Sequence, residues 1–261
     1  MRFKLTLQSV SPNPVIPINY QYPLSAAIYK VIARADEDYA AFLHESGYGI
    51  ENSLKNFKHF TFSDITSPFQ IKDDRLYLKN NELFLLVSFH LPEASQHFIK
   101  GLFLSQEIDI ADKKSKTSFK IISVEALKNP LINKDTEEVI SIVFKPMSPC
   151  VAGLKNSSGE YDFLSPKDVR FPLAIQHNWG EKLKTLGHQV VEEDISVKVN
   201  LLKNEPKSRL IWVKAFTPAQ TKIRGFTNFE IEVTAQRQFI EVIYNSGVGI
   251  YNAMGMGCIE Y

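Results

Sequence analysis

Polar and apolar residues alternate from Arg2 to Leu7, the period-two pattern of a half-buried strand. Pro12, Pro14 and Pro17 interrupt it. Leu24, Ile28, Val31, Ile32 and Ala35 then recur at helical spacing and predict a helix entered through Tyr20-Gln21-Tyr22-Pro23. Asp36 is placed to cap a second, short helix, with Glu37 and Asp38 in its first turn, where the positive helix end favours carboxylates. Gly47 and Gly49 end that helix. Phe60–Ser63, Arg75–Lys79 and Leu83–Phe89 read as strands, the last two joined through Asn80-Asn81 as a hairpin turn. A helix from Pro92 to Phe103 and a strand from Lys116 to Val124 complete the set. This is the strand, helix, strand, strand, helix, strand order of a ferredoxin-like unit.

The segment Ala126 to Glu138, with Asn129-Pro130 and a charge cluster, marks a domain boundary, placed between 130 and 131. Beyond it the patterns repeat. Val139–Phe144 is a strand and Val169–Leu186 is mainly helical. Strands follow near Ile195–Leu202, Leu210–Val213, Thr221–Gly225 and Phe229–Val233, then a helix over Gln236–Tyr244. The expected architecture is α+β: two tandem ferredoxin-like βαββαβ domains with antiparallel sheets, 1–130 and 131–261, the second with an extra hairpin.

The chain then runs into Gly247-Val248-Gly249 and Gly255-Met256-Gly257, separated by Ile250-Tyr251-Asn252-Ala253-Met254. Glycine tolerates positive φ and close approach of another molecule. The run reads as a loop whose amides are held open toward an anion such as phosphate. In dinucleotide and P-loop folds the glycines open a helix, whereas here they follow one, with Gly247 as its C-terminal cap. Those folds are disfavoured. A tight helix-to-strand connection would need only one or two glycines.

Composition changes the picture little: of 261 residues, 44% are hydrophobic and 23% charged, an ordinary globular balance. No apolar run is long enough to span a membrane, and Met1-Arg2-Phe3-Lys4-Leu5 lacks a signal-peptide core, so a cytoplasmic address is expected. Cys150 and Cys258 form no Cys-X-X-Cys pair, which argues against a disulfide framework and a cysteine zinc site. Charge adds more. The formal net charge of +1 is not that of a globally basic nucleic-acid binder, yet from Lys198 to Arg224 the basic residues face Glu205 alone. Lys222 and Arg224 share one strand face, and Lys207 and Arg209 sit where a strand begins.

The histidines show no metal-ligand spacing. On the second helix His44 lies over Ala40 and Ala41, and on the first Tyr29 has small neighbours, so both rings stand clear of bulky side chains. A lone helical histidine is more often solvated or structural, His59 at a strand start is the weaker candidate, and an exposed lysine without a role is the default for both Lys55 and Lys58.

The tail Gly-Val-Gly-Ile-Tyr-Asn-Ala-Met-Gly-Met-Gly is similar to the glycine-rich signature of the CRISPR-associated RNA-binding superfamily built from tandem ferredoxin-like domains. Within it the chain most resembles the endoribonucleases that cut CRISPR repeat RNA. Asn252-Ala253 matches the Asn and small residue between the glycine pairs, and Met256 stands where relatives carry an aromatic. The run Tyr29, Phe42-Leu43-His44-Glu45 and Lys58-His59-Phe60-Thr61-Phe62-Ser63 is similar to the family's N-terminal pattern, with a longer loop between His44 and Lys58.

The resemblance implies metal-independent transesterification: a ribose 2′-hydroxyl attacks phosphorus, leaving a 2′,3′-cyclic phosphate and a 5′-hydroxyl. His44 would transfer the proton, Tyr29 orient or share it, and Lys58 stabilise the phosphorane charge, with no cofactor. Which group is base and which acid stays open. CRISPR repeat RNA is the implied partner. It would be held by Gly247, Gly249, Asn252, Gly255 and Gly257 and tracked by Lys207, Arg209, Lys222 and Arg224. Docking on effector-complex subunits and homodimerisation stay open, and no membrane partner is expected. The competing reading is a noncatalytic RNA-binding subunit of a CRISPR effector complex, which would need the loop but not the surroundings of His44; a weaker third is a nonspecific single-strand RNA binder.

Overall fold

A computed structural model describes residues 1–50, 55–132, 135–215 and 217–261. Residues 51–54, in the loop leading to Lys58, and 133–134, in the expected boundary segment, lie outside that description. The first half builds an antiparallel sheet in the order Phe60–Phe62, Glu82–Phe89, Arg2–Ser9, Lys116–Leu127, Glu107–Ala111. The first four strands have the ferredoxin-like arrangement, and Glu107–Ala111 is an added edge that the sequence patterns did not mark. Helices α1 (Gln21–Ala35), α2 (Glu37–Glu45) and α3 (Pro92–Leu104) complete the first half. Asp36 caps α2 as expected, its carboxylate accepting from the Tyr39 amide at 2.8 Å.

The second half repeats the plan, with sheet order Ile195–Leu201, Phe229–Gln236, Val139–Pro146, Ile259–Glu260, and helices α4 (Arg170–Thr185) and α5 (Arg237–Ser246). The tandem ferredoxin-like fold expected from the element order is therefore present. One hydrophobic cluster draws on residues from Phe3 to Ile121 and a second on residues from Leu131 to Ile259.

Two local expectations fail. Arg75–Leu78 does not form a hairpin with Glu82–Phe89; it joins Phe69–Lys72 and Val15–Pro17 in a separate three-stranded sheet. Asp73, in the left-handed region at φ 53°, makes the tight turn that Asn80-Asn81 was expected to make. The proline-rich segment is likewise not wholly irregular: Val15–Pro17 is an edge strand, which tolerates the missing N–H donor of Pro17. A small hairpin, Gly153–Lys155 with Tyr161–Phe163, was also missed, because its strands are too short to show a period.

Long-range polar contacts join the halves. Arg2 is buried, donates to the Ile259 carbonyl at 2.7 Å and lies 4.1 Å from the Tyr244 ring centroid. The Asp64 amide donates to the Met147 carbonyl at 2.9 Å, while the Asp64 carboxylate accepts from Tyr20, Gln21 and Arg209.

Candidate functional site

Tyr29, His44 and Lys58 come from different elements and meet. Tyr29 is on α1, and its ring lies edge-on to His44 with centroids 5.1 Å apart and to Phe60 at 5.5 Å. His44 occupies the last turn of α2 and is exposed. Lys58 follows the short strand Asn56–Phe57 and donates from Nζ to the His44 backbone carbonyl at 3.0 Å. Gly47 makes that approach possible. A Cβ there would sit 2.7 Å from Lys58 Cδ and 2.9 Å from its Nζ.

The protonation states follow from the surroundings. Burial pushes the Tyr29 phenol above its ordinary value, so at neutral pH it remains a proton donor. Burial lowers Lys58, whose ammonium is half-withdrawn from water. With one N–H on the His44 carbonyl, that ammonium keeps two donors for an anion. Lys55 goes elsewhere: its Nζ lies 2.9 Å from His177 Nε2 and 3.8 Å from Glu181 on α4. His59 is buried with Nε2 2.9 Å from Thr185 Oγ1, and burial, with Lys182 and His90 nearby, pulls it down to about 3. It is a neutral interior imidazole.

The glycine loop sits between the halves. Its glycines have φ of 88°, 69°, 78° and 69° at Gly247, Gly249, Gly255 and Gly257, all in the region that favours glycine. The expectation of amides held open toward an anion fails at three of them. Gly247 N–H donates to Ile243, Gly255 to Asn252 and Gly257 to Pro149. Close packing is what demands glycine: a Cβ on Gly249 would lie 2.1 Å from the Val151 carbonyl oxygen, and one on Gly255 2.3 Å from the Phe62 ring. Gly247 is the α5 cap, as expected. The partly exposed rim, Ile250–Met254, is what the loop presents outward.

Asn252 and Lys182 clasp this loop. Asn252 Nδ2 donates to the carbonyls of Val248 and Met256, and its Oδ1 accepts from Lys182 Nζ at 2.6 Å. Lys182 also donates to Gly247 O at 2.6 Å and Gly249 O at 3.2 Å. It is 2% exposed, and burial pulls it down to about 7. The sequence reading missed it, although a signal exists: Phe171, Ile175, Trp179 and Lys182 share the buried stripe of α4. A lysine on an apolar stripe needs acceptors. On the other side, Thr61 Oγ1 donates to Met256 O at 3.0 Å and Ser25 Oγ to Ala253 O at 2.6 Å. Ser25 lies one helical turn from Tyr29, so loop rim and candidate cluster share α1.

The basic stretch divides. In the hairpin Lys207–Val213 with Thr221–Thr227, Leu210 pairs with Arg224 and Trp212 with Lys222. Lys222 and Arg224 are therefore on one face, both exposed, with Lys222 Nζ 4.6 Å from the Trp212 ring and Arg224 on Ser208 Oγ at 3.0 Å. Lys207 and Arg209 lie on the opposite face. Arg209 binds Asp64 at 2.8 Å and stands 5.4 Å from the Tyr20 ring, so it is engaged between the halves rather than aligned with Lys222 and Arg224.

Among the described residues no cluster of His, Cys, Asp and Glu could hold a metal ion, and no helix is long and apolar enough to cross a membrane.

Residues 129–261 match the family model described as CRISPR associated protein Cas6, C-terminal, and residues 15–120 match CRISPR-associated protein Cas6, N-terminal. The chain is 25% identical over 260 residues to the CRISPR-associated endoribonuclease Cas6 1 of Methanocaldococcus jannaschii, an alignment covering 99% of this chain and 92% of that protein. Its fold is similar to that of a Cas6-related protein from Pyrococcus furiosus, with TM-score 0.79, 22% identity and coverage of 100% and 97%. It is also similar to a RAMP protein described as binding different RNA substrates, with TM-score 0.77, 19% identity and coverage of 100% and 98%.

Proposed function

The chain belongs to the CRISPR-associated Cas6 family, and from that premise we propose that it is an endoribonuclease that cuts CRISPR repeat RNA into mature guide RNAs. The observation that carries this reading is the meeting of Tyr29, His44 and Lys58 beside the glycine loop. In the proposed reaction a ribose 2′-hydroxyl attacks the adjacent phosphorus. The P–O5′ bond breaks, leaving a 2′,3′-cyclic phosphate and a 5′-hydroxyl. The exposed imidazole of His44 exchanges a proton with the reacting oxygens, the Tyr29 phenol donates a hydrogen bond, and Lys58 faces the phosphorane charge. The 1–130 and 131–261 halves act together, since the loop rim and the cluster share α1.

The test is cleavage of repeat RNA by the purified protein in excess chelator. The expected 3′ fragment accepts label from polynucleotide kinase without prior phosphatase treatment, as a 5′-hydroxyl must. Binding without cleavage would favour a noncatalytic effector-complex subunit, and cleavage that needs added magnesium would overturn the proposed chemistry. Equal affinity for repeat and scrambled RNA would point instead to nonspecific single-strand binding.

The phosphate track is proposed for Lys222 and Arg224. Each alanine substitution is expected to reduce the slope of log affinity against log salt by roughly 0.7, the value for one single-strand phosphate contact, and to leave the cut position unchanged. Arg209→Ala should leave the slope alone and lower stability by about 1 kcal/mol, through the lost pair with Asp64. Salt titrations and urea unfolding of the three variants check both, and a slope unchanged in Lys222→Ala and Arg224→Ala removes them from the track.

A further inference from the structure

Three aromatic rings outside the candidate cluster gather at the glycine-loop rim. In the small hairpin, Gly153 pairs with Phe163 and Lys155 with Tyr161, so all four residues share a face. The Tyr161 and Phe163 rings stack with centroids 6.2 Å apart. Tyr251 closes against both, at 6.1 Å and 6.4 Å. Gly153 leaves room for this, since a Cβ there would press on Tyr161 Cδ1 at 3.2 Å. Phe163 and Tyr251 rest on a buried cluster that includes Val151, Ile211 and Met256, which fixes them from behind, while all three rings remain partly exposed.

Tyr251 adds a second sign. It holds φ of 63° within a run where glycine is plentiful, at a cost of about 1 kcal/mol that a glycine would avoid. A ring is kept where the turn alone would favour none. Charge points to the partner: the exposed Lys155 ammonium lies 6.0 Å from the Tyr161 ring. The strand Tyr161–Phe163 also packs beside Thr221–Thr227, which carries Lys222 and Arg224. Partly exposed rings bordered by cations suit the stacked bases and phosphates of a single strand.

Position relative to the cluster follows α1. Tyr22, in its first turn, packs with Tyr251 against the same buried group; Ser25 holds Ala253; Tyr29 reaches His44. From Tyr22 to Tyr29 the helix rises about 10 Å, so the rings lie within a few nucleotides' reach of the cluster.

We propose that Tyr161, Phe163 and Tyr251 form a stacking platform for a base of the single-stranded RNA a few nucleotides from the scissile phosphodiester, with Lys155 meeting the adjoining phosphate. The distance rests on the assignment of cleavage to Tyr29, His44 and Lys58. Stacking tolerates every base, so the platform places the strand rather than reading its sequence.

The test uses repeat RNA whose cut position has been mapped with the wild-type protein. The same RNA is made with a 2′-deoxyribose at the attacking nucleotide, to prevent cleavage, and with 2-aminopurine at one position at a time on either side of the cut. Quenching is expected at a position a few nucleotides away, within the reach along α1. Tyr161→Leu should relieve it and weaken binding about 5- to 150-fold, and Tyr161→Phe should preserve both. Tyr251→Gly, which removes a ring at a φ that glycine accepts, should repeat the loss without disturbing the turn. Absence of a quenched position, quenching untouched by both ring removals, or failure of Tyr161→Phe would overturn the platform. Cleavage without quenching sinks the platform alone. Quenching without cleavage, its position then fixed by footprinting, sinks the endoribonuclease reading and leaves the platform.

Discussion

His44→Ala lowers the single-turnover cleavage rate on repeat RNA by about 10²–10⁴-fold, the usual worth of a placed proton-transfer group, and leaves RNA affinity unchanged. The structure makes this a clean substitution. The His44 ring is exposed and meets Tyr29 edge-on, so its loss opens no buried cavity. Lys58 is held by the His44 backbone carbonyl, not by the imidazole, so it stays in place when the side chain is gone. A fall in rate therefore reports on the imidazole itself. Tyr29→Phe keeps the packing on Phe60 and removes only the hydroxyl, so its effect on rate should be smaller. If His44→Ala cuts as fast as the wild type, the cluster is not the site of proton transfer.

Gly257→Ala should be the most damaging single-methyl substitution in the glycine loop. Its Cβ would lie 1.9 Å from the Val248 carbonyl oxygen and 3.0 Å from Asn252 Nδ2, in a buried segment at φ of 69°. Neither neighbour can yield cheaply. Val248 O accepts from Asn252, and Asn252 is held by Lys182. Gly159→Ala is the control: φ is 79° there, but nothing lies within 4 Å of the added carbon. The control should cost about 1–2 kcal/mol for backbone strain alone. Gly257→Ala adds overpacking, roughly a further 1–3 kcal/mol, and should weaken RNA binding by distorting the rim. Urea unfolding of the two variants measures the difference. Equal destabilisation would mean that the loop glycines serve backbone conformation only, and that the clasp built by Lys182 and Asn252 yields readily.

Much of the architecture was legible because it is local. The apolar stripe from Leu24 to Ile32, the Asp36 cap and the strand period of Arg2 to Leu7 depend on neighbours within a few residues, and each appears as expected. Strand pairing was less legible. Whether Arg75–Leu78 joins Glu82–Phe89 or Phe69–Lys72 turns on Asp73, an aspartate that accepts a left-handed conformation without advertising it as a glycine would.

For the functional region, the residue types came from the sequence and the arrangement from the fold. Sequence singled out Tyr29, His44, the alternatives Lys55 and Lys58, and the glycine run. Tertiary structure brought Lys58 to the His44 carbonyl and sent Lys55 to His177. It committed Arg209 to Asp64, 145 positions away in the chain. It also gave the glycines their reason, because the atoms that a Cβ would strike belong to Val151, Phe62 and Val248, two of them far outside the loop. Periodicity records which face of an element is apolar, and that follows from composition over a turn or two. Which charged or small side chain meets which partner depends on contacts closed across the whole chain, and only the packed fold decides them.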